Sequence, residues 1–206
     1  MKGNRSKKNE RIKNYEWQSE IFQKALNLFL EKGYNATPMS RIAEVLDVSK
    51  PNLYYYCSSK ENLLYQINMD FMQKYFIPIL EEAEQLSDPQ QRLELFLRKF
   101  TLLNTSYPAA RVLIYEIHNL SKSHYREITT VWRRAYGLVR GAIKELQQSG
   151  KARKFRGSFL TFIGTGIVNW IVFWFDYSRQ NNAGELAEAV VQTFLHGLLY
   201  SVNGEG

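Results

Sequence analysis

The chain has 206 residues, of which 45% are hydrophobic, so it can bury a sizeable core in one large domain or two small ones. Its formal net charge of +7 permits nucleic acid or an anionic membrane as a partner. The single cysteine, Cys57, excludes an intrachain disulfide and fits a reducing cytosol, and the polar N-terminus lacks the pattern of a secretory signal, so we expect a cytoplasmic protein.

The first 60 residues carry most of the positive excess, with 11 Lys and Arg against 6 Asp and Glu. Residues 1–14 are predicted to form a basic disordered arm, which is either solvated or in contact with phosphates. Apolar residues at helical spacing then predict a helix from about Glu16 to Lys32. Gly33 is expected to cap its C-terminal end, with Tyr34 as the closing hydrophobic contact.

Two short helices are predicted next, separated by a tight turn. Thr37 as N-cap and Pro38 as first residue predict a helix that ends near Leu46. Ser49 is predicted to cap a second helix, Lys50 to Tyr56. This order is typical of a helix-turn-helix, in which the second helix enters the major groove of DNA.

If Leu53 of the second helix points inward, the 100° step per residue places Lys50, Pro51, Asn52, Tyr54 and Tyr55 on the exposed side. Lysine can reach guanine acceptors, asparagine can bond adenine edges, and a proline or tyrosine surface can meet a thymine methyl group. The alternative is that the three tyrosines merely pack at a helix end. A lysine at the start of the next helix opposes the helix dipole, and an external phosphate would explain Lys60.

The remaining sequence is predicted to be helical, and no strand is expected. A long helix should follow Ser58 and Ser59, with Pro78 kinking or dividing it. Further helices are expected near residues 89–103, 108–120, 125–148, 157–177 and 183–202. The predicted fold class is therefore all-α.

The stretch from Ile21 to Leu64, "IFQKALNLFLEKGYNATPMSRIAEVLDVSKPNLYYYCSSKENLL", resembles the DNA-binding segment of the TetR family of bacterial transcriptional regulators. Asp47 stands where the family usually has glycine, and Cys57 stands where phenylalanine is common. The resemblance implies a homodimer that binds a near-palindromic operator, usually as a repressor. Carried over by position, the base-contacting residues are Lys50, Pro51, Asn52 and Tyr54, the phosphate contacts are Tyr55, Tyr56 and Lys60, and further DNA contacts are Thr37, Ser40 and Arg41.

The resemblance divides the chain into a helix-turn-helix domain, residues 15–63, and a ligand-binding and dimerisation domain, residues 64–206. Within the second domain, "SYPAARVLIYEIHNL" and "IVNWIVFWFDY" are similar in layout to the branch that contains the pyrimidine-sensing repressor. Candidate effector-binding residues are Trp132, Tyr136, Asn169, Trp170 and Phe173. The alternative for Asn169 is a hydrogen bond within the core.

The resemblance also implies that the last two helices pair with those of a second copy, as a four-helix dimer interface. The predicted dimer residues are Ile167, Ile171, Leu186, Ala189, Val190, Phe194 and Leu198. Residues 157–175 are uncharged over nearly the length of a membrane span, so a membrane-associated helix is an alternative to a buried one. No cofactor, metal site or enzymatic residue set is predicted, and a DNA-binding protein without an effector remains a further alternative.

Overall fold

The computed structural model describes residues 3–177 and 182–199, and within these ranges the chain is helical without a strand. A single isolated bridge pairs Ala152 with Leu199. The all-α prediction is therefore confirmed. The helices are α1 (Gly3–Lys32), α2 (Met39–Val45), α3 (Lys50–Tyr56), α4 (Lys60–Phe71), α5 (Ile77–Glu84), α6 (Pro89–Ser106), α7 (Ala110–Tyr115), α8 (Lys122–Gln148), α9 (Gly157–Trp174) and α10 (Ala183–Leu198).

The N-terminal segment differs from its prediction. The backbone of residues 3–14 is helical as part of α1, whereas the sequence predicted a disordered arm. Lys, Arg and Glu are good helix formers, so the charge pattern that suggested an arm is also compatible with a longer helix. Residues 1–2 of the arm and residues 200–202 of the last predicted helix lie outside the described residues.

Pro78 divides the long helix that follows α3, as predicted. A π-helical turn, Met72–Phe76, lies between α4 and α5, and Pro78 occupies the first turn of α5. Proline has no N–H to donate to the carbonyl four residues back, and its ring crowds that carbonyl. The wider π-helical turn absorbs this disruption just before the proline.

The chain divides into two compact units. The first contains the residues up to Asp70 together with Val112–Tyr125, and the second contains Phe71–Arg111 and the residues from Arg126 on. The first unit thus extends past the predicted boundary after residue 63 and includes a later segment of the chain. Leu63, Leu64 and Ile67 of α4 are buried, so most of this helix belongs to the core of the first unit. We refer to the two units as the head unit and the helical unit.

In the helical unit, α6 packs against α5, α9 and α10. Phe76, Phe96 and Phe100 form an aromatic cluster, in which the Phe76 and Phe100 rings lie 4.9 Å apart. Helices α9 and α10 approach closely at Gly164, where an added Cβ atom would lie 2.9 Å from the ring of Phe194. A glycine is needed there because a buried phenylalanine ring has little room to move.

We expect Gly164→Ala to lower the free energy of unfolding by about 1–3 kcal/mol, because the new methyl group overlaps the Phe194 ring. Chemical denaturation followed by circular dichroism measures the change. Gly137→Ala is the matched control, since nothing lies within 4 Å of an added Cβ atom at this position of α8 and the helix propensity improves. Equal effects of the two substitutions would contradict the close approach.

Candidate nucleic-acid interface

Helix α3 is held in one orientation by a cap at its start and by buried side chains on one side. The Ser49 hydroxyl accepts a hydrogen bond from the Asn52 backbone N–H at 3.3 Å, which confirms the predicted cap. Leu53 is 0% exposed and Cys57 is also buried. Burial raises the pKa of the Cys57 thiol to about 11, so it stays protonated at neutral pH. The opposite side of α3 must therefore face solvent.

Lys50, Pro51 and Asn52 are exposed, as are all three tyrosines of α3, and Tyr55 is the most open at 86%. The Lys50 ammonium lies 6.0 Å from the centre of the Tyr54 ring. The Tyr55 and Tyr56 rings meet edge to face with centres 5.4 Å apart. The alternative that these tyrosines merely pack at a helix end does not fit this exposure. We call this set, Lys50 to Asn52 and Tyr54 to Tyr56, the reading face.

The turn between α2 and α3 has the geometry that the sequence predicted. Asp47 has φ of 55°, in the left-handed region where glycine is usual and aspartate is tolerated. The Val48 N–H donates to the Ala43 carbonyl at 3.0 Å, which closes the turn. Ile42 and Leu46 are buried, so the turn is fixed from inside the head unit.

Thr37 does not have the predicted roles. The N-cap of α2 is Pro38, and no side chain caps this helix. Thr37 is only 2% exposed, and its hydroxyl donates to the Gly33 carbonyl at 2.8 Å. Its side chain is therefore unavailable to DNA. Gly33 itself adopts the predicted left-handed conformation, with φ of 85°.

Lys60 is also used inside the head unit. Its ammonium donates to the backbone carbonyls of Tyr34 (2.9 Å), Thr37 (3.2 Å) and Asn35 (3.5 Å) and lies 4.3 Å from the centre of the Tyr34 ring. These acceptors account for all three of its protons, so the predicted phosphate contact would require Lys60 to release at least one of them. Burial lowers the pKa of Lys60, although the Glu116 carboxylate opposes the shift. The carbonyls offset the unfavourable position of a cation at the start of α4.

Ser40 and Arg41 are exposed near the start of α2. Arg41 forms an ion pair with Glu44, and both side chains are open to solvent. Such a pair contributes little stability, so the guanidinium can exchange the carboxylate for a phosphate at small cost. Both residues thus remain candidates for the phosphate contacts predicted from the sequence.

Sequence reasoning missed a contact that joins Val112–Tyr125 to α4. One oxygen of Glu61, Oε1, accepts from the Ser121 N–H at 2.7 Å and pairs with His124 Nδ1 at 2.8 Å. The His124 ring stacks on Tyr65 with centres 3.8 Å apart. Burial alone would raise the pKa of Glu61, but these hydrogen bonds outweigh it and lower the pKa. No sequence signal links residues about 60 positions apart.

The comparisons with known proteins agree with this geometry. Residues 21–67 match the family described as bacterial regulatory proteins, tetR family, and residues 86–198 match the tetracyclin repressor-like, C-terminal domain. The chain belongs to the TetR family. It is a DNA-binding transcriptional regulator with an effector-binding domain.

Individual relatives cover nearly the whole chain. The transcriptional regulator QacR of Staphylococcus aureus is 26% identical over 190 residues, which is 87% of this chain and 96% of QacR. The TetR family regulator PfmR of Thermus thermophilus is 27% identical, with a TM-score of 0.79 over 87% of this chain and 99% of that structure. The regulator AibR, in complex with isovaleryl coenzyme A and operator DNA, shares the fold with a TM-score of 0.80 at 24% identity, covering 87% of this chain and 98% of that structure.

In the TetR-type C-terminal domain, the predicted effector residues are not brought together as one group. Trp132 packs on Phe76 with ring centres 4.8 Å apart, and Tyr136 lies 5.6 Å from Phe162. Trp170 is mostly exposed and contacts Trp174, so it does not line the interior of its own helical unit. Asn169 and Phe173 are half-buried.

The predicted dimer residues divide into two groups. Val190, Phe194 and Leu198 of α10 are buried within their own helical unit, so little of their surface is open to a second copy. Their apolar spacing belongs to the face of α10 that packs on α6 and α9. Ile167, Ile171 and Leu186 are half-buried and Ala189 is exposed.

We expect Lys60→Met to destabilise the head unit by about 1–3 kcal/mol, because three backbone carbonyls lose a charged donor. Thermal or urea unfolding of the whole protein measures the loss. Lys50→Met, at an exposed position of α3, should change the stability by less than about 0.5 kcal/mol. A Lys60→Met protein as stable as the Lys50→Met protein would show that these contacts are not formed in solution.

Proposed function

We propose that two copies of the protein place their reading faces in successive major grooves of a near-palindromic operator and repress transcription until an effector releases them. The observation that carries the proposal is the single orientation of α3, which turns Lys50, Asn52 and Tyr54 outward while Leu53 is buried. Two such helices must lie about 34–36 Å apart to dock together. Operator DNA as the binding target implies a cytoplasmic protein, and operator binding requires no catalysis.

Each exposed residue has a contact that its chemistry favours. Lys50 is assigned to guanine acceptors, Asn52 to an adenine edge, and Pro51 and Tyr54 to apolar contact with a thymine methyl group. Tyr55, Tyr56, Ser40 and Arg41 are assigned to phosphates, which fix the register of α3 on the duplex. Thr37 and Lys60 support this surface from inside the head unit, since their polar atoms are bonded to its backbone.

We expect Lys50→Met and Tyr54→Ala each to weaken operator binding by about 10- to 100-fold, because each removes a contact with base edges. Fluorescence anisotropy on an operator selected by the wild-type protein from random DNA measures the effect at several salt concentrations.

Two controls match these changes. Lys151→Met removes the same charge from the helical unit, and Tyr115→Ala removes another exposed tyrosine of the head unit. Both controls should bind the operator within about threefold of the wild-type protein. If the controls and the α3 variants lose affinity equally, the reading face is wrongly assigned.

The proposed dimer surface lies on the outer side of α9. Phe162, Ile163, Trp170 and Trp174 are more than half exposed, and Phe159 extends the same stripe by one turn. Large apolar patches of this kind mark interaction sites in soluble proteins. Ile167, Ile171, Leu186 and Ala189 flank it with partly exposed apolar surface.

The same helix satisfies the length and composition of a membrane span, with 28% of its residues buried in the structure. A second copy of the chain is the better occupant of its exposed side. The family match includes α9 within a regulator C-terminal domain, and TetR regulators bind their operators as dimers.

We expect Trp170→Glu to raise the dimer dissociation constant by at least about 30-fold, because a charge would be buried against apolar surface of the partner. Sedimentation equilibrium without detergent measures it. Tyr115→Glu, at an exposed position of the head unit, is the control and should leave the dimer intact. An unchanged Trp170→Glu dimer would assign dimerisation to another surface.

A further inference from the structure

We propose that the side-chain amides of Asn104 and Asn169 form the polar part of the effector site, and that the effector is a small, neutral, flat molecule with carboxamide-type N–H donors. This inference rests on the proposed function, because it names the chemistry of the effector which that function requires. It depends on two buried oxygen atoms in the helical unit that no protein donor reaches.

Asn104 lies in the last turn of α6 and is only 1% exposed. Its side-chain Nδ2 donates to the backbone carbonyl of Val168 on α9 at 3.0 Å. A carbonyl only accepts, so this bond fixes which end of the amide is the nitrogen. The other end, Oδ1, is buried without a hydrogen-bond partner. Amide oxygens have two acceptor positions, and buried ones are nearly always bonded.

Asn169 directly follows Val168, and its Oδ1 is also buried without a hydrogen-bond partner. The threonine hydroxyls nearest along the two helices cannot supply the missing donors. Thr101 donates to the Leu97 carbonyl at 2.8 Å, and Thr165 donates to the Thr161 carbonyl at 2.8 Å. Each hydroxyl has one hydrogen, and that hydrogen is already used. The oxygen of Asn104 is thus left for a donor from outside the chain, and the Asn169 amide, whose orientation no hydrogen bond fixes, can turn its oxygen to a ligand as well.

The surroundings favour a neutral ligand over an anion. Among the described residues, no Lys, Arg, His, Asp or Glu is fully buried, so an anion would lack a buried counter-charge. The aromatic rings at helical spacing from the two amides suit a flat molecule. Phe100 precedes Asn104 by one turn and lies 5.9 Å from Trp132, and Phe173 follows Asn169 by one turn.

This arrangement also explains how such an effector would shift the protein between states. A buried oxygen without a donor raises the free energy of the conformation in which it occurs. A ligand that supplies donors lowers that free energy only in a conformation where it reaches both oxygens. A ligand can shift an equilibrium only through its different affinity for the two states. The two amides give a donor-bearing ligand that difference, and an isosteric compound without donors would gain nothing from them.

The first test needs no ligand. The side-chain Oδ1 of Asn169 has no hydrogen-bond partner, so Asn169→Leu should leave the Tm of the free protein unchanged or raise it. Asn104→Leu is the matched variant, and it should lower the Tm because the bond to Val168 is lost. A Tm lowered by Asn169→Leu would show that this amide has a structural partner and would overturn the inference.

The second test uses three probes that share a benzoyl group: benzamide, N,N-dimethylbenzamide and benzoate. We expect benzamide to raise the Tm of the wild-type protein, with an affinity at least about tenfold higher than that of either other compound. Asn169→Leu should abolish this preference. No stabilisation by benzamide, or equal stabilisation by benzoate or the dimethyl compound, would overturn the inference.

Operator binding by the same proteins separates this inference from the proposed function. If the wild-type protein binds no operator, the proposed function fails. If the operator is bound but donor-bearing probes have no advantage, only the effector chemistry proposed here fails.

Discussion

The burial of Leu53 is the constraint on which the rest of the head unit depends. Helix α3 has seven residues and would not be stable alone, since short helices gain too few hydrogen bonds to offset the cost of nucleation. Its stability and its orientation therefore come from the same contact, the insertion of Leu53 into the core with Cys57 one turn later. Because successive residues are 100° apart, anchoring this one position determines which side chains meet DNA. The cap at Ser49 and the left-handed conformation of Asp47 set the direction in which the chain enters α3. They do not determine which side of α3 is exposed.

Lys60 gives this surface a rigid support. Its ammonium donates hydrogen bonds to three backbone carbonyls of the segment between α1 and α2, and Lys60 is the first residue of α4. Three helices of the head unit are thereby tied to one charged group. Part of the cost of burying that charge appears as the lowered pKa of Lys60, and the hydrogen bonds to the carbonyls offset it. The contact of Glu61 with Ser121 and His124 adds the segment 112–125 to the same end of α4. Displacement of α4 would therefore disturb the elements that position α3.

Local signals in the sequence were sufficient for much of this fold. The cap at Ser49, the left-handed Gly33 and the division at Pro78 depend on a few neighbouring residues, so the sequence predicts them correctly. Polar side chains such as those of Thr37 and Lys60 are harder to assign, because a threonine or lysine suited to a phosphate is equally suited to a backbone carbonyl. The Thr37 hydroxyl bonds the carbonyl of Gly33, four residues away, and the Lys60 ammonium bonds the carbonyl of Tyr34, 26 residues away. For α10, the apolar spacing correctly predicts a buried face, but it does not reveal whether the same chain or a second copy covers that face. Val190, Phe194 and Leu198, predicted as dimer residues, are buried within their own chain.

Helix α9 carries apolar side chains both on the side that packs in the helical unit and on the exposed side. Leu160, Gly164, Val168 and Val172 face the core of the helical unit, whereas Trp170 and Trp174 lie on the opposite side. A helix that is apolar all round belongs either in a membrane or in the interior of an assembly, and the family match places α9 in a regulator that acts as a dimer. Asn169 lies between these two surfaces, next to Val168 and Trp170 in the sequence. An effector that bonds Asn169 would act directly on the helix that carries the proposed dimer surface. In the proposed dimer, two reading faces must lie about 34–36 Å apart to dock together, so the pairing of the two copies at α9 is what such an effector would have to change.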